Sequence, residues 1–186
     1  MNFELQEEEW DCSPTALLNA LIFYVERHGM VGFSRRHLTD VDKMREALIS
    51  WCKTDEDGTW DVDLDKAISF TQHQFKLFEA EHVFEMIYDD MKDHLLEDEG
   101  NTFILSHMDY QAEGHVTFIL GYSEKFGGFN CVNFYAGLEP VVTRITEKRM
   151  KAVFELSRHM AKENNEPDMV GWFLSDWGYA LENGYN

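Results

Sequence analysis

Asp11-Cys12-Ser13-Pro14-Thr15 places a thiol at the head of a run, 13–25, that contains no charged residue. The spacing predicts a buried helix over about 13–28, with Pro14 in the tolerant first turn and Gly29 just past the end. Cys12 then sits where unpaired N–H groups and the positive end of the helix dipole favour thiolate over thiol. A thiolate is the form that attacks a carbonyl carbon. Position alone does not decide the matter, because free cysteines are commonly buried and inert.

Three other side chains fit the same chemistry. Gln6 lies six residues upstream of Cys12, and an amide NH2 near a nucleophile can donate to a developing oxyanion. His115 opens the apolar stretch Gly114-His115-Val116-Thr117-Phe118-Ile119-Leu120, which reads as a strand rather than a polar loop. Asn133 follows 18 residues later, on the returning strand of an expected hairpin turning at Gly127-Gly128. An antiparallel hairpin can bring those two side chains together. An Asn accepting from the imidazole would fix the tautomer that serves as base. The commoner fates are a core histidine satisfied by backbone and a glutamine that is one more polar residue in an acidic segment.

Gln6 with Trp10-Asp11-Cys12-Ser13-Pro14-Thr15-Ala16-Leu17-Leu18-Asn19-Ala20-Leu21 resembles the nucleophile segment of papain-like cysteine peptidases. The nearest branch cleaves double-glycine leaders from bacteriocins and has stand-alone relatives. The resemblance implies Gln6 as oxyanion donor, Cys12 as nucleophile, His115 as general base and acid, and Asn133 as orienting residue. Ile145-Thr146 before a helix, and then Gly171-Trp172-Phe173-Leu174, also resemble that branch. Ser13 stands where the branch usually has glycine, and Asn133 where it more often has aspartate. No transporter segment accompanies the domain, so leader processing coupled to export is not expected.

Elements must hold these residues. Thr39 or Asp40 can cap a helix over 41–53 whose face is Met44, Leu48 and Trp51. A third helix is expected from Asp63 through Ile68, and a fourth over 81–96 from Val83, Phe84, Ile87, Met91 and Leu95. Strands are expected at 102–106, 115–120, 129–135, 141–143 and 171–175, with a helix over 146–161. Helices before an antiparallel sheet give an α+β order. The reading is one papain-like domain over 1–186: a helical part to about 100, a sheet part over 101–175 and a short tail, 176–186. Trp177, Tyr179 and Tyr185 in that tail are types that anchor contacts.

Composition bounds the partners. The 186 residues hold 35 Asp and Glu against 16 Lys and Arg, a net charge of −19. Such a chain repels nucleic-acid phosphates and anionic membranes. A peptide or protein substrate, basic if steered by charge, is the expected partner. With 44% hydrophobic and 14% aromatic residues, it is too apolar for a disordered tail. Three cysteines (12, 52, 131), no CxxC pair and no signal-like N-terminus point to reduced thiols in a cytoplasm. Cys52 and Cys131 read as core.

No cofactor or metal is expected. The acidic stretch 55–65 fails the EF-hand register, because Lys53 and Leu64 would occupy the first and last ligand positions. It reads as a solvated loop before a helix N-terminus. His107 and Asp109 suit the cleft and the surface equally well. The chemistry expected is hydrolysis of a peptide or amide bond through a thioester. Deamidation and amide transfer differ only in leaving group and acceptor. The alternatives are a retired peptidase scaffold acting as an acidic binding or inhibitory protein, such as a nucleic-acid mimic, and a module that binds peptides without cutting them.

Overall fold

A computed structural model describes residues 2–8, 10–29, 40–84, 88–108, 113–135, 138–164 and 170–177. The elements in chain order are α1 (Cys12–Arg27), α2 (Val41–Cys52), α3 (Asp61–Phe75), β1 (Phe78–Phe84), α4 (Tyr88–Glu97), β2 (Thr102–Met108), β3 (Gly114–Ser123), β4 (Gly128–Val132), β5 (Val142–Thr146), α5 (Glu147–Asn164) and β6 (Val170–Asp176).

The six strands form one antiparallel sheet in the order β1-β6-β2-β3-β4-β5. The last strand thus lies between the first and the second. Alternating residues divide the sheet into two buried faces. Ile104, Phe118, Val132, Trp172 and Leu174 pack with α1, α2 and α3. Phe103, Leu105, Ile119, Phe129 and Cys131 pack with α4 and α5. The α+β class holds, with helices on both faces of the sheet.

Helix α1 is buried nearly all round, as its uncharged sequence requires. Its polar Asn19 is fully buried and needs partners. It finds them on the N-terminal arm: Nδ2 donates to the Glu4 carbonyl at 3.0 Å, and the Glu4 N–H donates to Oδ1 at 2.8 Å. Helix α2 begins at Asp40, whose side chain accepts the Lys43 N–H. Thr39 lies outside the described residues.

Two expectations are corrected. Residues 81–84, the first of the helix expected over 81–96, belong instead to β1, which pairs with β6 from Phe78↔Asp176 to Phe84↔Val170. Only Tyr88–Glu97 is helical there. The sheet therefore takes a strand from the part expected to be helical. Helix α3 runs beyond Ile68 to Phe75, because Leu64, Ala67, Ile68, Thr71 and Phe75 continue one buried stripe. Among the described residues no helix is long and apolar enough to cross a membrane. Tyr179 and Tyr185 lie outside the described residues, while the Trp177 N–H donates to the Leu77 carbonyl.

Candidate active site

Three segments converge on a cavity of about 480 Å3. The start of α1 supplies Trp10, Cys12 and Ser13. The ends of β2 and β3 supply Ser106, Met108, Glu113, Gly114, His115 and Val116. The loop into α3 supplies the remainder, from Glu56 to Asp61. Cys12 and His115, 103 positions apart in sequence, therefore share one wall system. Gln6 and Asn133 are not among the residues lining it.

Cys12 is the first residue of α1 and is half-buried. Burial pushes its thiol above the ordinary cysteine value, and the neighbouring Asp11 carboxylate adds to the rise. The Val116 backbone N–H and the Ser13 hydroxyl and N–H act in the opposite direction. Desolvation is the largest of these effects, and it opposes the shift towards thiolate that a helix N-terminus favours. Cys52 and Cys131 are buried, with Cys52 pushed up to about 12 and Cys131 raised by burial alone. Both belong to the core.

His115 is 3% exposed, and its Nε2 lies 2.7 Å from the Asn133 carbonyl oxygen. A carbonyl only accepts, so Nε2 carries the proton and the neutral ring has its lone pair on Nδ1. The main chain of Asn133 thus fixes the tautomer. The Asn133 side chain does something else: its Nδ2 donates to the Glu4 carbonyl at 2.9 Å. Asn133 directly follows β4 with φ 53°, a left-handed conformation that Asn tolerates better than most residues. The expected juxtaposition of 115 and 133 is present, but through a backbone oxygen.

His107 lies opposite His115 in the β2–β3 register, with ring centroids 5.4 Å apart. It is buried rather than in the cleft or at the surface. Its Nδ1 donates to the Met108 carbonyl and its Nε2 accepts from Thr117 Oγ1, both at 2.9 Å. Asp109 lies outside the described residues. Gln6 is buried, and its Nε2 donates to the Glu8 carbonyl at 2.7 Å, within its own arm.

Among the described residues, no group of three or more His, Cys, Asp or Glu side chains could hold a metal ion. The loop 55–58 closes on itself instead: the Asp57 N–H donates to Asp55 Oδ1, and Asp55 bridges Gly58. Asp63 pairs with Lys53 and Lys66 at 2.9 and 3.2 Å.

Two residues of consequence were not singled out in the sequence. Trp60, next to the cavity's acidic lip, is 77% exposed. Arg45 is buried against Asp11 and Thr15, on either side of Cys12 in the chain. Its signal was present, since 41, 44, 45 and 48 fall on one helical face and put an arginine among core positions.

No protein-family model and no curated protein matches this sequence. Solved structures do match. The peptidase domain of Streptococcus ComA, a bifunctional ABC transporter in quorum sensing, aligns over 94% of this chain and 99% of its own, with TM-score 0.57 and 16% identity. The ComA peptidase domain of Streptococcus mutans aligns over the same shares, with TM-score 0.56 and 14% identity. The chain has a papain-like peptidase fold. At these identities the likeness is one of architecture, and the residues must carry the chemistry by themselves.

Proposed function

We propose that this protein is a cysteine hydrolase of peptide or amide bonds. The observation that supports it is the opening of Cys12 and His115 into a single cavity, with the His115 tautomer fixed by the Asn133 carbonyl. Because burial keeps the resting thiol protonated, the proton leaves as the sulfur attacks, and His115 takes it. The tetrahedral intermediate collapses to a thioester, His115 returns the proton to the leaving amine, and water resolves the acyl enzyme. The Cys12 N–H and the Gln6 amide are the oxyanion donors in this reading. The Gln6 amide must then turn from the Glu8 carbonyl, or use its second N–H.

Alkylation of Cys12 by iodoacetamide tests the state of the thiol. A raised pKa leaves little thiolate at neutral pH. The rate should therefore climb about tenfold per pH unit from pH 6 to 8, following the thiolate fraction. A plateau already present at pH 6 would mean a preformed thiolate and would overturn the general-base step.

The substrate is a basic peptide in this reading. Glu56, Asp57, Asp61 and Glu113 line the cavity, and no Lys or Arg is among its described lining. A cationic side chain beside the exposed Trp60 indole gains from the ring face as well as from the carboxylates. In a positional peptide library, Arg or Lys near the scissile bond should raise kcat/KM about tenfold or more over Glu. The preference should shrink as salt is raised. Equal cleavage of acidic and basic peptides would remove the substrate assignment and leave the hydrolase reading standing.

A further inference from the structure

The arm that precedes Cys12 is acidic: Glu4, Glu7, Glu8, Glu9 and Asp11 stand among its residues. Asp11 is 1% exposed and adjoins the candidate nucleophile in the chain. A carboxylate so placed opposes thiolate formation, so something must offset it. Among the described residues, the cation paired with Asp11 is Arg45, itself 6% exposed and projecting from α2.

Its contacts radiate to the arm and to the head of α1. Nη1 lies 3.4 Å from Asp11 Oδ2 and 3.1 Å from Thr15 Oγ1. Nη2 lies 3.4 Å from Glu4 Oε2 and 3.3 Å from the Leu5 carbonyl. Nε is 3.7 Å from Glu7 Oε1. One guanidinium thus meets three carboxylates and a main-chain carbonyl on either side of Gln6. The arm is also held by Asn19 and by Asn133, both through Glu4.

We infer that Arg45 is a positioning residue for Cys12, screening the adjoining Asp11 carboxylate and pinning the arm that carries Gln6 against α1. The inference rests on the reading of Cys12 as nucleophile, but its measurement does not. Burial leaves Asp11 with one oxygen, Oδ1, that has no hydrogen-bond partner among the described residues. Arg45 Nη1 and the Glu7 N–H, each 3.4 Å from Oδ2, stabilise the Asp11 charge together with the Glu8 N–H. Burial raises the Asp11 carboxyl, while the Glu7 and Glu8 N–H groups and Arg45 hold it down. A lysine could supply the charge but not the fork that reaches Asp11, Thr15, Glu4 and Leu5 together.

The thiol has other charged and titratable neighbours. His115 and Glu113 lie on β3 and its approach, Cys52 on α2, and Glu56, Asp57 and Asp61 across the cavity. A test must therefore separate the Arg45–Asp11 pair from them. The design is a two-by-two set in the full chain: wild type, Asp11→Asn, Arg45→Met and the double variant. Each is titrated by the pH dependence of Cys12 alkylation, with thermal melting in parallel.

Arg45→Met should slow alkylation at pH 7.5 about tenfold and move the profile to higher pH, a shift of about one unit. Adding Asp11→Asn should return the rate to within about threefold of wild type. Asp11→Asn alone should move the profile the other way, towards lower pH. A merely structural arginine would lower the melting temperature in both Arg45 variants without that reciprocal pattern. The inference is overturned if Arg45→Met leaves the profile unchanged, or if Asp11→Asn fails to reverse it. Should Arg45→Met not fold, the sign of the Asp11→Asn shift decides: no shift, or a rise, overturns it. The experiment reads a thiol, not turnover, so loss of the hydrolase reading would leave this outcome intact.

Discussion

Replacing His115 by glutamine should slow acylation of Cys12 by about 10²- to 10⁴-fold, the range for loss of a positioned general base. An Nα-acyl-arginine p-nitrophenyl ester gives the readout: one equivalent of nitrophenol per chain in a burst, then slow turnover. Cys12→Ala sets the background, since without sulfur no thioester forms. Glutamine is chosen because its amide can still donate to the Asn133 carbonyl that now receives Nε2 at 2.7 Å. The substitution removes the base while sparing that buried bond, whose outright loss would add a stability effect. A His115→Gln burst within threefold of wild type would remove His115 from the mechanism. Loss of the burst in wild type, with Cys12 still alkylated, would favour the retired scaffold.

The same experiment distinguishes two roles for Asn133. If its side chain oriented the imidazole, as the resemblance implies, truncation should cost as much as losing other triad members. The geometry assigns that work to its carbonyl, and its side chain to Glu4. Asn133→Gly keeps the carbonyl and suits φ 53°. Its burst should stay within about tenfold of wild type, the residual loss coming from the loosened arm.

What could be read from the sequence was whatever is encoded locally. Cys12 stands out because a charged arm gives way to thirteen uncharged residues, so the helix start is marked by composition. His115 stands out because an apolar run begins at the next residue. Residue type does not reveal which atom acts. Asn133 was placed beside His115 by hairpin arithmetic, but it is its carbonyl, and not its amide, that meets the ring. Burial of Cys12 is likewise a tertiary fact: it depends on β3 packing against α1, and it opposes the shift that the helix terminus would favour.

Strand β1 was missed for a related reason. Phe78-Glu79-Ala80-Glu81-His82-Val83-Phe84 alternates only in part, with Glu79 and Phe84 exposed and Phe78 buried. Val83 and Phe84 also fall into helical spacing with the true helix α4. The strand is defined by its partner β6, nearly 90 residues away, and no local pattern encodes that pairing. Arg45 is the opposite case. Its helical register placed it on the core face, and an arginine among Met44 and Leu48 is a buried charge in need of partners.

The largest stability effect is expected at Trp172, in the strand that joins the missed β1 to the rest of the sheet. It is fully buried at the contact of β6 with α3, and it stacks on His82 of β1 with centroids 4.8 Å apart and planes 12° apart. Its Nε1 donates to Asp65 Oδ1 at 2.9 Å, and His82 Nδ1 lies 3.1 Å from the same oxygen. One indole therefore couples β1, β6 and α3. Trp172→Ala should cost about 3–5 kcal/mol, by lost transfer energy and the cavity left behind. For a chain of this size, that corresponds to a fall of roughly 6–20 °C in Tm. Trp172→Phe keeps a ring against His82 and loses the Asp65 bond, so its loss should be less than half as large. Ile104 of β2 is the registered neighbour of Trp172, and the far end of β2 supplies Ser106 and Met108 to the cavity. Yet the pairing of β2 with β3 does not pass through Trp172. Well below its own transition, Trp172→Ala should therefore retain the wild-type burst rate. A melting temperature within 2 °C of wild type would refute the packing argument. A stable variant with no burst would mean that β6 reaches the site by a route other than the β2–β3 pair.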